Sequence, residues 1–197
     1  MKRDINRTRA ALLRAAEKLM TSCEDVSQLT SRAITKEAGV NLAMINYCFG
    51  SREKLLAEVF GNIMAKAQLA DPRLSTIMDS DLPPAAKLAE IHISMMRLML
   101  DSFAYSEAVT RYILLERDLS FGMESLPLVV EHFRGKKTEE ECRLITYSIT
   151  SLNELAVLKH AELKEKCCTD LTDEEQLRRF VENNISKFLD IRSDNNE

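Results

Sequence analysis

The stretch Thr30–Arg52, TSRAITKEAGVNLAMINYCFGSR, decides the fold of this chain. A hydroxyl residue at its start, Thr30 or Ser31, is suited to cap a helix. Gly39 is suited to end that helix, because glycine adopts the left-handed backbone conformation without strain. Asn41 then caps a second short helix, and a glycine and a serine near the end of the stretch repeat the stop and the cap. The stretch therefore predicts two short helices joined by a tight turn.

The inward face of the first of these helices is predicted at Ala33, Ile34 and Ala38, with the aliphatic stem of Glu37. The second helix is predicted at Leu42–Cys48. Two short helices around a glycine-containing turn form a helix-turn-helix, and an earlier amphipathic stretch supplies a third helix in front of them. We therefore expect an all-α protein with an N-terminal three-helix helix-turn-helix domain and a larger C-terminal helical domain.

Over about its first sixty residues the chain resembles the TetR family of transcriptional regulators. Several elements agree in order and spacing, which makes the resemblance more specific than a lone helix-turn-helix pattern. They are the helix with Ala15, Ala16 and Leu19, then Ala38-Gly39-Val40-Asn41, Ile45, Tyr47 and Phe49-Gly50-Ser51-Arg52-Glu53-Lys54-Leu55. The sequence departs from the family pattern at Glu24-Asp25-Val26, Asn46 and Cys48, so a base preference is not carried over from the family.

Composition agrees with a globular helical protein. The chain has 197 residues, of which 45% are hydrophobic and 29% charged, and only 5 are Gly and 4 Pro. No apolar run reaches the roughly 20 residues that a membrane span requires, and the N-terminus shows no signal-peptide pattern. We expect no membrane partner and a cytoplasmic location.

Charge is divided unevenly along the chain. Residues 1–60 hold ten Lys or Arg against seven Asp or Glu, a net +3, whereas the remainder holds 17 against 24, a net −7. A basic end on an acidic protein favours nucleic-acid contact at that end. The basic lead-in allows two interpretations, a solvated terminus or an arm that contacts phosphates. Its basic residues are Lys2, Arg3, Arg7 and Arg9.

Nothing in the sequence indicates a metal, a cofactor or catalysis. The five cysteines are an odd number and lack CxxC spacing, and the three histidines lie far apart without an ExxH pair. We find no pairing of nucleophile and base and no phosphate-binding loop, so an enzyme is not expected. Cys48 allows a redox-sensing hypothesis, although no basic residue in its own helix would activate the thiol.

The division predicted from the pattern is a DNA-binding domain at residues 1–60 and an effector-binding and dimerisation domain at residues 61–197. A helix follows Ser51 to about Leu69, and Asp71-Pro72 begins a break. Further helices are predicted at Ala85–Ser102, at Leu126–Phe133, at Thr138–Lys166 and at Asp173–Ile191. Between the first two of these, a helix is predicted that carries Ala108, Tyr112 and Leu115 and ends near Ser120-Phe121-Gly122. We expect the last two helices of the chain to form the homodimer interface.

In a helix-turn-helix the second helix enters the major groove. Val40, Ile45 and Phe49 are predicted inward, and the neighbouring positions face DNA. Asn46 can pair with adenine, and the apolar positions can contact thymine methyl groups. The resemblance implies backbone contacts for Tyr47 and Arg52, and the start of the first helix can attract a phosphate. The predicted DNA-binding residues are Thr30, Ser31, Arg32, Asn41, Leu42, Ala43, Met44, Asn46, Tyr47 and Arg52.

The middle of the chain is rich in methionine and aromatic residues, which suits either an adaptable ligand pocket or an ordinary core. The resemblance favours the pocket, because most TetR-like regulators bind a small effector in this domain. The candidate effector-binding residues are His92, Met95, Met96, Met99, Tyr112, Phe121 and Tyr147.

The hypothesis is a dimeric, sequence-specific transcriptional regulator, a repressor that a small-molecule effector releases from a double-stranded DNA operator. The alternative is an architectural or interaction protein that binds DNA by the same domain without sensing an effector.

Overall fold

The computed structural model describes residues 2–22, 26–103, 106–107, 109, 114–115 and 122–191, and within them every regular element is helical. The predicted all-α class is therefore confirmed. Among these residues, no helix is both long enough and apolar enough to cross a lipid bilayer. The elements are α1 Lys2–Ser22, a 3₁₀ turn Val26–Gln28, α2 Ser31–Ala38, α3 Ala43–Phe49, α4 Arg52–Ala70, α5 Pro72–Met78, α6 Pro84–Asp101, α7 Leu126–Phe133, α8 Glu139–Leu158, α9 His160–Cys167 and α10 Glu174–Phe188.

The chain divides into two compact units. The first comprises Met1–Lys66 and Ser102–Glu116, and the second comprises Ala67–Asp101 and Arg117–Glu197. The helix predicted from about residue 108 to residues 120–122 lies largely outside the described residues, as do Tyr112 and Phe121.

The core of the first unit forms where α1 packs against α2 and α3. Ala15 and Ala16 are buried in α1, and their small side chains let a neighbouring helix approach closely. Leu12 on α1, Ile34 on α2 and Ile45 on α3 are at most 1% exposed, so each of the three helices contributes a large apolar side chain to one core. Burying such a side chain fully stabilises the fold by roughly 1.5–3 kcal/mol relative to its exposure.

The second unit is organised around α6, which packs against α7, α8 and α10. Two ion pairs join α6 to α10 at its surface. Arg97 Nη2 lies 2.7 Å from Glu174 Oε1, and Arg178 binds Glu90 through both guanidinium amino groups. The core of this unit consists of buried apolar side chains, which include Leu88, Ile93, Met96, Val129, Ile149, Val157, Val181 and Ile185.

The structure corrects the predicted break at Asp71-Pro72, because a short helix, α5, begins there. The Asp71 carboxylate accepts a hydrogen bond from the Arg73 backbone N–H at 2.9 Å, and Pro72 occupies the first helical turn, where its missing N–H costs nothing. The Arg73 side chain also hydrogen-bonds Asp71, and this contact, with the backbone bond, lowers the pKa of the Asp71 carboxyl. An aspartate cap followed by proline can therefore mark the start of a helix as well as the end of the preceding one.

The structure also corrects the single helix predicted at Thr138–Lys166, which is two helices, α8 and α9. The backbone leaves the helical conformation at Lys159, with φ −104° and ψ 14°. The His160 ring turns back so that its Nδ1 lies 3.0 Å from the Val157 carbonyl oxygen near the end of the helix. The start of α8 is as predicted, because Thr138 and Glu141 form a capping box.

Candidate nucleic-acid interface

The α2–turn–α3 segment has the caps that the sequence predicts. The Thr30 hydroxyl accepts a hydrogen bond from the Ala33 N–H at 3.1 Å. Gly39 ends α2 with φ 66° and ψ 33°, a conformation in which a β-carbon would be strained. The Asn41 side chain accepts from the Ala43 N–H at 2.9 Å and starts α3, one residue later than predicted. These bonds hold the two helices and the turn as one fixed unit.

The sides of α3 differ sharply in exposure. Ile45 is 1% exposed and anchors the helix in the core, whereas Tyr47 is 64% exposed. The other outward positions are Asn41, Leu42, Ala43 and Asn46, all exposed, and Met44, which is half-buried. The helix thus presents an amide, a phenol and several apolar groups to solvent. Hydrogen-bonding and methyl-contacting groups of this kind suit base edges in a major groove.

The start of α4 holds a further predicted contact residue, Arg52. Its Nε donates to Glu53 Oε1 at 3.1 Å, and its Nη1 donates to the Leu29 carbonyl at 3.5 Å. The side chain is half-buried, so it is held in one region of space while part of the guanidinium stays accessible. The Ser51 hydroxyl accepts from the Lys54 N–H at 3.1 Å and caps α4 as predicted.

The start of α2 holds the remaining predicted contacts. Arg32 is exposed and Ser31 is half-buried, while the Thr30 side chain is exposed but already engaged as the cap. The Ser31 carbonyl accepts the hydroxyl of buried Thr35 at 2.8 Å. Arg32 is therefore the side chain at this end of α2 whose charge is directed to solvent.

Two exposed lysines in α2 and at the start of α4 are further candidates, which the sequence did not single out as DNA contacts. Lys36 lies in the last turn of α2 and Lys54 in the first turn of α4. Neither forms an ion pair with any residue that the structure describes, which leaves both charges available for phosphates. Their positive charge and their closeness in sequence to Tyr47 were the features from which the sequence could have predicted them.

Arg9 does not belong to an extended basic arm. It is within α1, its guanidinium stacks over the Phe49 ring with Cζ 4.8 Å from the ring centroid, and its Nη2 pairs with Glu58 of α4. This arrangement, which we call the Arg9 clamp, links α1 to the end of α3 and to α4. Cation–π contacts of this kind contribute roughly 0.5–1 kcal/mol when exposed.

The thiol of Cys48 is half-buried on α3 and forms no disulfide. The redox hypothesis for Cys48 stays a prediction. Cys142 is fully buried, and burial raises the pKa of its thiol, which makes it unreactive.

The candidate effector residues fall into three groups. His92, Met96 and Met99 are buried along one face of α6, and Met95 is half-buried on the same helix. Tyr147 is 42% exposed on α8, so the structure does not bring it together with the buried group. Tyr112 and Phe121 lie outside the described residues.

His92 has one hydrogen-bonding partner in the second unit. The Nδ2 of Asn153 on α8 lies 3.1 Å from His92 Nδ1, and both side chains are at least 96% buried. Burial lowers the pKa of His92 to about 4, so the ring is neutral at neutral pH.

A separate surface cleft of about 110 Å³ lies between α5, α6 and α10. Its floor is apolar, and its rim carries three arginines, each paired with a carboxylate. The charges balance there, so the cleft does not select an anion. Within the described part of the chain, no three histidine, cysteine or acidic side chains are arranged to hold a metal ion.

Residues 12–59 match the family model described as "Bacterial regulatory proteins, tetR family". No curated protein matches the chain. The matched span begins inside α1 and ends inside α4, and it includes the capped α2–turn–α3 segment and the exposed face of α3. Residues 12–59 are therefore a helix-turn-helix DNA-binding domain similar to that of TetR-family transcriptional regulators.

Proposed function

We propose that this protein is a repressor that a small-molecule effector releases from its operator. In this proposal residues 1–60 bind DNA and residues 61–197 bind the effector and form a homodimer. The observation that carries the DNA-binding part is the contrast on α3 between buried Ile45 and exposed Tyr47. A recognition helix needs this contrast, because one side must fix its position while the other reads DNA.

The proposed contacts divide into two kinds. Leu42, Ala43, Met44 and Asn46 read base edges, with Asn41 at the start of the helix. Tyr47 and Arg52, and the group at the start of α2 with Thr30, Ser31 and Arg32, contact the phosphate backbone and set the register. The exposed charges of Lys36 and Lys54 support phosphate contact on both sides of α3.

An exposed apolar stripe on α8 supports the homodimer. Leu144 is 66% exposed, and Tyr147 and Leu155 lie along the same side of the helix at helical spacing. Large apolar side chains at such spacing are typical of a surface that a second helix covers. A twofold dimer through α8 and α10 would place two recognition helices about 34 Å apart, in successive major grooves.

An effector would act through this spacing. If it binds more tightly to a conformation in which the two recognition helices are spaced differently, DNA affinity falls by the difference in binding energy. The buried polar pair of His92 and Asn153, beside buried Met96 and Met99, supports a binding role for the second unit.

The test begins with selection of duplex DNA from a random pool by the wild-type protein. Asn46→Ala should change the base preference of the selected DNA. Lys54→Ala should weaken binding to every sequence and reduce the slope of log K against log salt by about 0.9, the value for one phosphate contact. Arg52→Ala should act in the same direction, and its stability must be measured too because Arg52 also bonds Leu29.

Lys136→Ala is the matched control, because it removes an exposed positive charge from the second unit. It should leave affinity and salt slope unchanged. If Asn46→Ala and Lys54→Ala change every affinity equally, the assignment of readers and phosphate contacts is wrong. If no duplex is enriched, the proposed function itself fails.

A further inference from the structure

The second unit contains a buried hydrogen-bonding pair that is only half satisfied. His92 on α6 and Asn153 on α8 bond to each other, yet His92 Nε2 and Asn153 Oδ1 have no hydrogen-bond partner among the residues that the structure describes. The two side chains are only 4% and 3% exposed. Most buried polar atoms in folded proteins are paired, because an unpaired one loses its bonds to water without replacement.

The hydrogen bond between the two side chains determines whether each of the two unpaired atoms, which we call the idle atoms, is a donor or an acceptor. The amide Nδ2 of Asn153 donates to Nδ1 of a neutral His92, so the ring proton is on Nε2. The idle atoms are then one donor, Nε2–H, and one acceptor, Oδ1. If the amide is turned over, Nδ1–H donates to Oδ1, and the idle atoms become the acceptor Nε2 and the donor Nδ2. In both orientations the pair offers one donor and one acceptor.

Buried apolar side chains flank both residues along their helices. Met96 and Met99 follow His92 at four and seven residues along α6, so the three buried side chains lie on one face. Ile149 and Val157 are buried one turn before and after Asn153 on α8. Thioether side chains change shape readily and accommodate irregular ligands.

The same region disfavours a charged ligand. Among the described residues of the second unit, no lysine or arginine is buried. A ligand carboxylate bound at His92 would therefore find no buried cation among these residues. Burying an uncompensated charge is strongly unfavourable.

We propose that the second unit binds an apolar molecule through a neutral group that both donates and accepts a hydrogen bond, a hydroxyl or a carboxamide, held by His92 and Asn153. This inference rests on the proposed effector-binding role of that unit, and it adds the chemical class of the effector and the two residues that select it. A ligand group that only accepts, a carboxylate included, leaves one of the two idle atoms unpaired.

Three probes of nearly equal shape test the proposal. Benzamide offers a donor and an acceptor, acetophenone only accepts, and benzoate only accepts and is charged. Protein labelled with ¹⁵N-histidine reports binding by nuclear magnetic resonance, and the chain has only 3 histidines to assign. Benzamide should move the His92 ring resonances saturably, with an affinity about tenfold or more above that of acetophenone, and benzoate should leave them unmoved.

Two matched variants locate the selectivity. Asn153→Leu is close in size and should reduce the ratio of benzamide to acetophenone affinity to about one. Asn184→Leu removes a different buried amide, on α10, which has an unpartnered Nδ2 among the described residues and makes no hydrogen bond to His92. It should leave the ratio unchanged. An equal loss of selectivity in both variants would contradict the assignment to Asn153.

Binding of the three probes to the wild-type protein tests the proposal even if Asn153→Leu does not fold. Equal affinities for benzamide and acetophenone, binding of benzoate, or an unmoved His92 with all three probes would each overturn the proposal. The last outcome would mean that the pair does not bind a ligand group of this kind. DNA selection without probes is scored separately, because a failure there contradicts the regulator function and leaves the probe result standing.

Discussion

Arg9 distinguishes two accounts of how the basic N-terminal region serves DNA binding. As part of an arm it would contact a phosphate, and as the Arg9 clamp it would hold the end of α3 in position. The structure places its guanidinium over Phe49 and against Glu58, with side-chain exposures of 40% and 34% for the ion pair. We therefore predict that Arg9→Met acts mainly on stability and on the position of α3.

The magnitude follows from the two contacts. A partly exposed ion pair contributes about 0.5 kcal/mol, and the stacking over Phe49 adds about 0.5–1 kcal/mol. Methionine keeps the apolar stem of the side chain, so the loss of packing is small. The free energy of unfolding should fall by roughly 1–1.5 kcal/mol, which urea titration resolves as a lower midpoint with an unchanged m-value.

Double-mutant cycles assign this loss to its partners. Combining Arg9→Met with Glu58→Gln should give a coupling energy of about 0.5 kcal/mol, and combining it with Phe49→Leu about 0.5–1 kcal/mol. The salt dependence of DNA binding should keep its slope, because no phosphate contact is lost. Coupling energies near zero, together with a slope reduced by about 0.9, would refute the clamp and establish a phosphate contact.

Two further perturbations test the fold. The pKa of His92 is lowered from 6.5 to about 4 in the folded protein. As the pH falls below about 6.5, His92 therefore becomes protonated in the unfolded chain while it stays neutral in the folded chain. Between pH 7.5 and pH 5 the free energy of unfolding should therefore fall by about 2 kcal/mol. His92→Gln should remove most of this pH dependence, and the control His160→Gln should keep it. An equal pH dependence in the wild type and both variants would contradict the assignment to His92. Gly39→Ala should lower the free energy of unfolding by about 1 kcal/mol in urea titration, because φ at this position is +66°, although nothing lies within 4 Å of the added β-carbon. Gly39→Asn should lower it less. An unchanged stability of Gly39→Ala would show that the turn adapts.

The sequence predicted the helix-turn-helix well because its signals are local. A cap at Thr30, a left-handed stop at Gly39 and a cap at Ser51 each act over three or four residues, and each works in the folded chain as it would in a peptide. The periodic burial of α6 and the capping box of α8 are signals of the same range. Such features can be predicted without knowledge of which helices become neighbours.

Two boundaries were missed for different reasons. Asp71-Pro72 was interpreted as a break because proline ends helices, although the same residue is favoured in a first turn. The interruption at Lys159 has no glycine or proline to announce it, and it depends on a backbone change that the His160 ring accommodates. The first error concerns an ambiguous local signal, whereas the second concerns a change that no local signal marks.

The functional details depend on contacts between residues distant in sequence. Arg9 meets Glu58 across 49 residues, and His92 meets Asn153 across 61. Composition could indicate a basic region and a methionine-rich region, but the partner of each polar group is decided by helix packing. The sequence therefore predicted which segment forms the helix-turn-helix and left the contacts of individual side chains open.

The short length of α3 explains why the surrounding helices matter for DNA recognition. A helix of seven residues is far below the roughly 12–15 residues at which an isolated helix becomes marginally stable in water. Its conformation must therefore come from buried Ile45, from the Asn41 cap and from the Arg9 clamp at its end. Because these supports lie on the inner side and at the ends, the outward positions can differ between relatives without loss of the fold. The departure at Asn46 is at one of these exposed positions, so we expect it to leave the position of α3 unchanged.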